Sequence, residues 1–188
     1  MKLYKIGLCV SLLAIIIISC ATTKGTTPKD KRQAILDMKK ETLFDLYKAQ
    51  PQSKSQIAKA PGFAVFSDAN VNIIFASFGG GYGVVKNNKT GKNIYMKMGE
   101  LGIGLGLGIK DFRAIFIFHD EDTMNYFINS GWEFGGHADA AAKASDKGAA
   151  VGGEVLVDNI TVYQLTESGL ALQATVKGTK YWKDDALN

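Results

Sequence analysis

Glycine alternates strictly with an aliphatic residue along Gly102–Ile109, near the middle of the chain. A period of two is the period of a β-strand, whereas a helix would distribute the same glycines around its whole circumference. Glycine normally weakens a strand, so four glycines on one face predict that another layer of structure or a ligand packs close to that face. These glycines are Gly102, Gly104, Gly106 and Gly108. Because ten of the 21 glycines lie between residues 79 and 108, this region is predicted to be the centre of a glycine-rich β domain.

The first 20 residues are organised like a bacterial lipoprotein signal peptide. Two lysines precede Ile6–Ile18, an apolar run that is too short to span a membrane comfortably. The run ends in Ser19-Cys20, and an aliphatic residue, a small residue and a cysteine in that order resemble a lipobox. The resemblance implies that residues 1–19 are removed and that acyl chains on Cys20 anchor the protein to a membrane. The alternative is an ordinary cleaved signal peptide with a chance cysteine.

The cysteine content and the residue after the lipobox bear on the location of the protein. Cys9 lies inside the signal peptide, so the mature chain keeps one cysteine and forms no disulfide within itself. Ala21 stands directly after Cys20, which is compatible with export to an outer membrane. We therefore expect a lipid-anchored protein of the bacterial cell envelope, on the periplasmic face of the outer membrane. Residues 20–27 are a lipidated tether, and residues 28–188 form one domain.

Capping residues predict a long helix directly after the tether. Thr27 is a candidate N-cap, Pro28 suits the first helical position, and Asp30 completes a weak capping box. Gln50-Pro51 is predicted to end this helix. A second, short helix is predicted to begin at Asp120 or Asp122 and to end at Gly131.

Much of the remaining chain is predicted to be β structure, because its segments are rich in β-branched, aromatic or alternating residues. The predicted strands are Phe63–Phe66, Val71–Phe78, Tyr82–Lys86, Asn93–Met98, Gly102–Lys110, Ala114–Phe118, Val155–Val157, Ile160–Thr166 and Leu170–Val176. Asn87–Lys92 is predicted to be a hairpin turn and Asp111–Arg113 a tight reversal, and such short connections require antiparallel neighbours. The predicted fold is therefore α+β: an antiparallel sheet, curved into a sandwich or a partly closed barrel, with a long N-terminal helix and one short inserted helix. Gly135–Gly153 receives no assignment.

The distribution of charge argues against a nucleic-acid partner. Residues 20–60 hold nine Lys and Arg residues against four acids, whereas residues 61–188 hold eleven against fourteen. A nucleic-acid-binding protein usually carries its basic face on the folded domain itself. The basic N-terminal arm instead suits the headgroups of anionic lipid, at about 1 kcal/mol of attraction for each cation near the surface. The candidate headgroup residues are Lys24, Lys29, Lys31, Arg32, Lys39 and Lys40.

Six pieces of sequence recur in the order found in a known domain family. They are Ala60–Phe66, Gly79–Val84, Gly102–Gly108, Ile115–Phe118 leading into Met124–Ile128, Val162–Gln164, and Ser168–Leu172 followed by Val176–Gly178. Together they resemble the SYLF family, a lipid-binding domain also found in yeast and animal actin-patch proteins. The resemblance extends over about residues 35 to 182.

The resemblance to the SYLF family implies a non-enzymatic domain that binds phosphoinositides or other anionic lipids in eukaryotic members, and sometimes actin. Lipid contact in those members is associated with a basic amphipathic helix before the core. Ala34–Ala49 matches that helix in position, but its charges are mixed. Because a lipoprotein outside the cytoplasm meets neither phosphoinositides nor actin, we expect no actin binding here.

The segment His119–Asp122 is the one cluster that invites a metal or acid–base hypothesis. Acids in the first turn of a helix are expected from the helix dipole, so helix capping is the preferred interpretation. A zinc site would need His119 and His137 to meet beside a carboxylate, and nothing in their spacing requires it. The glycine runs lead into more strand and not into a helix, which disfavours a phosphate loop. The sequence therefore predicts no cofactor, no metal and no catalysis.

The function predicted from the sequence is that of a membrane-anchored lipoprotein whose SYLF-like domain binds anionic lipid or an envelope protein. An alternative is a periplasmic carrier of an apolar ligand, with a pocket walled by the glycine face of residues 102–108. A metal-dependent hydrolase at His119 and His137 is a third hypothesis.

Overall fold

A computed structural model of the protein describes residues 23–74, 76–102, 106–134, 154–166, 169–170 and 177–188. Cys20, Gly104, His137 and the segment 135–153 lie outside these ranges, as do the hypotheses that depend on them. None of the helices within the described ranges is both long and apolar enough to cross a membrane.

Three helices occur in the described ranges: α1 (Pro28–Ala49), α2 (Ser53–Lys59) and α3 (Glu121–Ser130). α1 begins at the predicted cap, where the Thr27 hydroxyl accepts a hydrogen bond from the Asp30 backbone and the Asp30 carboxylate accepts one from the Thr27 backbone. α3 follows Asp120 and ends at Gly131, whose φ of 74° is a conformation that glycine adopts readily. Local capping chemistry therefore sets the ends of both α1 and α3.

Nine strands form one sheet in the described part of the chain, and every pairing between neighbours is antiparallel. Their bounds are β1 (Gly62–Ile74), β2 (Ala76–Asn87), β3 (Asn93–Gly102), β4 (Gly106–Phe118), β5 (Trp132–Phe134), β6 (Glu154–Val157), β7 (Ile160–Thr166), β8 (Gly169–Leu170) and β9 (Lys177–Lys183). The order across the sheet is β5-β9-β3-β2-β1-β4-β7-β6, with β8 paired to β7. The fold is α+β, as predicted from the sequence, and the sheet is not closed.

The glycine-rich centre is organised differently from the prediction. Gly102 ends β3 and Gly106 begins β4, and strands β2 and β1 lie between these two in the sheet. The prediction of a single strand over Gly102–Lys110 is therefore wrong, and its glycines do not line one strand. The reason is that the alternation continues on both sides of the connection, so a period of two does not locate the turn.

Two other boundaries also differ from the prediction. The strand predicted at Val71–Phe78 is divided between β1 and β2, because Ile73 pairs with Ala76 across a hairpin. The reversal predicted at Asp111–Arg113 lies inside β4, where Arg113 pairs with Ser67 of β1 on one side and with β7 on the other. Arg113 is accommodated within the strand because its guanidinium group is ion-paired to α1.

One face of the sheet is concave and encloses an aromatic cluster. Phe116 on β4 and Tyr181 on β9 are four strand spacings apart, which is about 19 Å in a flat sheet, yet their ring centroids are 5.2 Å apart. The sheet therefore curls around this cluster as in a partly closed barrel, and α3 covers the opening with Met124, Phe127 and Ile128. The buried residues of the concave cluster are Ala64, Phe66, Val85, Met96, Met98, Ala114, Phe116, Phe118, Met124, Phe127, Ile128, Ile160 and Tyr181.

The convex face is covered by α1 and α2. α1 buries Ile35, Met38 and Leu46, whose spacing of three and eight residues places them on one side of the helix. Thr42 on the same side is also buried, and its hydroxyl donates to the Met38 carbonyl oxygen at 2.8 Å. The sheet residues beneath them are Phe63, Val65, Val84, Tyr95, Ile115, Ile117, Tyr163 and Leu165. The domain thus has a separate apolar layer on each face of one sheet.

Candidate membrane-binding surface

The six cations predicted to contact lipid headgroups fall into two groups in the structure. Lys24 and Lys29 are exposed beside the first turn of α1, and Lys40 is exposed further along the same helix. Lys31, Arg32 and Lys39 are partly buried. The sequence pattern therefore identified a basic segment, but only half of its members are fully presented to solvent.

Arg32 has a structural contact. Its Nη1 atom donates a hydrogen bond to the backbone carbonyl oxygen of Leu187 at 3.2 Å. Leu187 is itself buried in the convex-face cluster, so this bond connects the beginning of α1 to the C-terminal segment Asp184–Asn188. Arg32 is consequently oriented toward the protein and is a weaker headgroup candidate than Lys24 or Lys29.

Lys39 is oriented against the sheet. Burial lowers the pKa of its ammonium group, and the nearby positive charge of Lys86 lowers that pKa further. Both effects disfavour the charged form in the folded protein. Lys39 is therefore the least suitable of the six cations for binding an anionic headgroup.

The middle of α1 is held to the sheet by an arginine of β4. Arg113 Nη2 lies 3.5 Å from Glu41 Oε2, and Arg113 Nη1 lies 3.5 Å from Asp45 Oδ2. This arrangement explains why α1 has a mixed-sign polar face, since two of its acids serve attachment to the sheet. Between them in sequence, Phe44 is 68% exposed.

The C-terminal segment forms a second border of this surface. Asn188 accepts a hydrogen bond from the Tyr95 backbone and donates one to the Tyr95 carbonyl oxygen, both at 2.9 Å or less. Asp184 accepts a salt bridge from Lys97, with an Nζ to Oδ1 distance of 3.0 Å. These contacts fix the segment to β3, and the bond from Arg32 joins it to α1.

The predicted ligand-binding face does not form as one wall. Gly102 lies at the end of β3, whereas Gly106 and Gly108 lie in β4. Where the structure describes glycine surroundings on β2, the space is occupied by protein: a Cβ on Gly81 would lie 2.2 Å from the Ser67 carbonyl oxygen, and one on Gly83 would lie 2.3 Å from the Phe66 ring. Glycines on β2 therefore serve close packing.

The segment His119–Asp122 is a helix start. The Asp120 carboxylate accepts hydrogen bonds from Thr123 N at 2.6 Å and from Thr123 Oγ1 at 3.0 Å. The backbone bond from Thr123, followed by the side-chain bond, lowers the pKa of Asp120. His119 Nε2 is hydrogen-bonded to Thr161 Oγ1 at 2.8 Å. His119 and Asp120 thus each have a hydrogen-bond partner within the fold.

A cavity of about 480 Å³ opens beside the same helix start. It is lined by Ala58, Lys59, Ala60, Pro61, Asn88, Lys89, His119, Asp120 and Glu121. Lys89 forms an ion pair with Glu121, so charges of both signs in this lining already neutralise each other. No group of three or more His, Cys, Asp or Glu residues in the described ranges is placed to hold a metal ion.

Sequence reasoning missed three polar or aromatic residues with defined places. Asp68 on β1 is only 2% exposed, on the strand face that also carries Ala64 and Phe66. Arg113 binds α1, and Trp182 lies on the exposed part of the convex face. The missing information was the last strand, β9, because without it neither the neighbours of Trp182 nor the curvature of the sheet could be predicted.

Comparison with known proteins finds a similar protein in another organism. The chain is 34% identical over 163 residues to beta cell expansion factor A of Aeromonas veronii. The match covers 86% of this chain but 60% of the other protein, so this chain spans about three fifths of that protein's length. No protein-family model matches the chain.

Proposed function

We propose that the protein is a membrane-anchored lipoprotein whose SYLF-like domain binds the surface of an anionic membrane, without catalysing a reaction. The observation that supports this most is the exposure of Lys24 and Lys29 beside the first turn of α1, only a few residues after Cys20. An anchor at Cys20 would hold these cations close to the headgroups. An envelope protein with an acidic surface is the alternative partner.

The expected strength of the electrostatic contribution follows from the number of exposed cations. At about 1 kcal/mol for each lysine near an anionic surface, Lys24 and Lys29 together contribute about 2 kcal/mol, or about a 30-fold change in affinity. Screening by salt reduces this attraction, because the Debye length is about 8 Å at physiological ionic strength.

Flotation with vesicles tests the proposal. A chain of residues 20–188 with Cys20→Ala is compared on anionic and neutral vesicles, so that no acyl chain contributes. We expect binding to anionic vesicles that falls about 30-fold in the double variant Lys24→Gln, Lys29→Gln. The matched control is Lys48→Gln, Lys54→Gln, which removes the same charge from exposed positions near the other end of α1. Equal binding to both vesicle types, or equal loss in both variants, would refute the electrostatic attraction.

Lipid extraction separates surface binding from the carrier alternative. A carrier purified from cells retains a lipid within the fold, whereas a surface-binding domain is recovered without one, and native mass spectrometry distinguishes the two masses. The name of the similar protein describes an effect on beta cell expansion and specifies no ligand. Membrane binding is the molecular activity that we propose for the 163-residue region that the two proteins share.

A further inference from the structure

Trp182 is an aromatic residue held on the surface by a rigid strand. Its neighbour Tyr181 is buried in the concave cluster, so Trp182 points to the opposite, convex face, where it is 40% exposed. The ring lies over Gly99, with Cη2 3.2 Å from the position that a Cβ of Gly99 would occupy. Because Gly99 has no side chain, the indole packs directly on its backbone on one side, and part of the ring remains in solvent.

Two lysines lie beside this indole. Lys97 is directly opposite Trp182 in the register of β3 and β9, and its side chain is 48% exposed although it pairs with Asp184. Lys180 is exposed on the same face, two residues before Trp182. Lys97 and Lys180 are therefore the cations that the register of β3 and β9 places beside the indole. Lys183 lies on the opposite face, where its Nζ atom donates a hydrogen bond to Asn129 Oδ1 of α3 at 2.7 Å.

The C-terminal segment that follows Trp182 is joined to α1. Residues 184–188 connect directly to Trp182 at one end, and the Leu187 carbonyl oxygen accepts the hydrogen bond from Arg32 of α1 at the other. The strand that carries Trp182 is therefore connected to α1 through this segment.

Phe44 and Tyr126, two of the other large apolar residues that are exposed in the described ranges, are less suited to an anionic surface. Phe44 is 16 positions after Pro28, about 24 Å along α1, and it is adjacent to Asp45. Tyr126 is 64% exposed on α3, whose first turn carries Glu121 and Asp122. Compared with Phe44 and Tyr126, Trp182 combines an amphipathic ring with neighbouring lysines.

We propose that Trp182 is the aromatic anchor with which the domain docks on the headgroup layer of an anionic bilayer, an inference that rests on the proposed function. Tryptophan prefers this layer because its ring is apolar and its Nε1–H finds a hydrogen-bond acceptor there. Lysines beside it lay their methylene stems along the apolar surface and direct their ammonium groups to the phosphates. The anchor sets the orientation of the domain, and the cations give it a preference for anionic lipid.

Tryptophan fluorescence tests the orientation in the full chain reconstituted into vesicles. The protein has two tryptophans, so Trp132→Phe leaves Trp182 as the single emitter, with Trp132→Tyr as a second background if the first variant fails to fold. Vesicles of phosphatidylcholine, with or without phosphatidylglycerol, carry brominated acyl chains that quench indole only on contact. The control emitter is Tyr126→Trp in a chain with Trp132→Phe and Trp182→Phe, which reports from α3.

We expect a blue shift and a loss of emission for Trp182 in the anionic vesicles, and no change for the emitter at position 126. Unchanged Trp182 emission in both vesicle types would overturn the docking face while leaving anionic binding, measured by flotation, intact. Equal quenching at positions 182 and 126 would also overturn it. Equal quenching of Trp182 in neutral and anionic vesicles would support the anchor and contradict the electrostatic part of the proposed function.

Discussion

Replacing Gly83 by alanine tests whether the glycines of β2 exist to let the sheet curl around its aromatic cluster. A Cβ at this position would stand 2.3 Å from Phe66 Cδ1, 2.4 Å from the Val65 carbonyl oxygen and 2.6 Å from Phe66 Cγ. Contacts this short require movement of the neighbouring atoms. The carbonyl oxygen belongs to the adjacent strand β1, so it cannot move without displacing the strand pairing.

The Phe66 ring has little freedom to move aside. It is fully buried and lies edge-on to Phe116 and Tyr181, with ring centroids 5.8 Å and 4.7 Å away. Overpacking of this kind costs about 1–3 kcal/mol, and the backbone clash places Gly83→Ala at the upper end of that range. Alanine also lowers the conformational entropy of the unfolded chain, which stabilises the folded protein by about 1 kcal/mol. The expected net decrease in the free energy of unfolding is therefore about 2 kcal/mol.

Thermal unfolding of Gly83→Ala and Gly99→Ala measures the effect with a matched control. A loss of about 2 kcal/mol corresponds to a Tm lower by about 4–8 °C in a domain of this size. Gly99→Ala places its Cβ 3.2 Å from the end of the Trp182 side chain, which is partly exposed and can move, so we expect a Tm within about 2 °C of the wild type. If Gly83→Ala were as stable as Gly99→Ala, close packing would not explain the glycines of β2.

Two further predictions concern ionisable groups. Lys39→Met is expected to raise the Tm at pH 7, because burial and Lys86 lower the pKa of Lys39 and the charged form is therefore disfavoured on folding. This gain in Tm should shrink as the pH rises toward 10.5, because the wild type becomes more stable once Lys39 loses its proton in the folded protein. A gain that stays constant across this pH range in thermal unfolding would contradict the lowered pKa of Lys39. Asp120→Asn should preserve the helix cap but make the free energy of unfolding less dependent on pH in acid. In the wild type, the lowered pKa of Asp120 contributes stability that is present above pH 3.8 and is lost as the pH falls through the lowered pKa. Denaturant titrations of both proteins from pH 6 to about pH 2 would show parallel curves if Asp120 were not responsible.

The sequence predicted those parts of the structure that depend on neighbouring residues. The capping box of Thr27 and Asp30 and the cap at Asp120 involve partners three residues apart, so the pattern contains all the information needed. The same holds for the turn at Asn87–Lys92, where Gly91 has a φ of 72°. The class of fold followed from these turns and from the strand periods.

The parts that sequence reasoning missed depend on contacts between distant residues. The alternation over residues 102–108 is the same whether it forms one strand or the end of one and the start of another, and only the pairing of β3 with β9 and of β4 with β1 decides between them. Arg32 and Lys39 are basic, as headgroup ligands are, but the bond from Arg32 to Leu187 and the burial of Lys39 near Lys86 are set by tertiary packing. The exposure of each predicted headgroup residue therefore could not be read from the sequence, and its role in lipid binding stays a prediction.

The position of β9 in the sheet also has a consequence for the order of folding. This last strand pairs with β3 and supplies Tyr181 to the aromatic cluster, and the hydrogen bond from Arg32 to Leu187 joins residues 155 positions apart. Contacts between such distant positions form slowly, because a long loop must close before they contribute. The concave cluster is thus completed only when residues 177–183 arrive. A chain exported through a membrane, as we propose, would therefore remain extended during translocation and acquire its core afterwards.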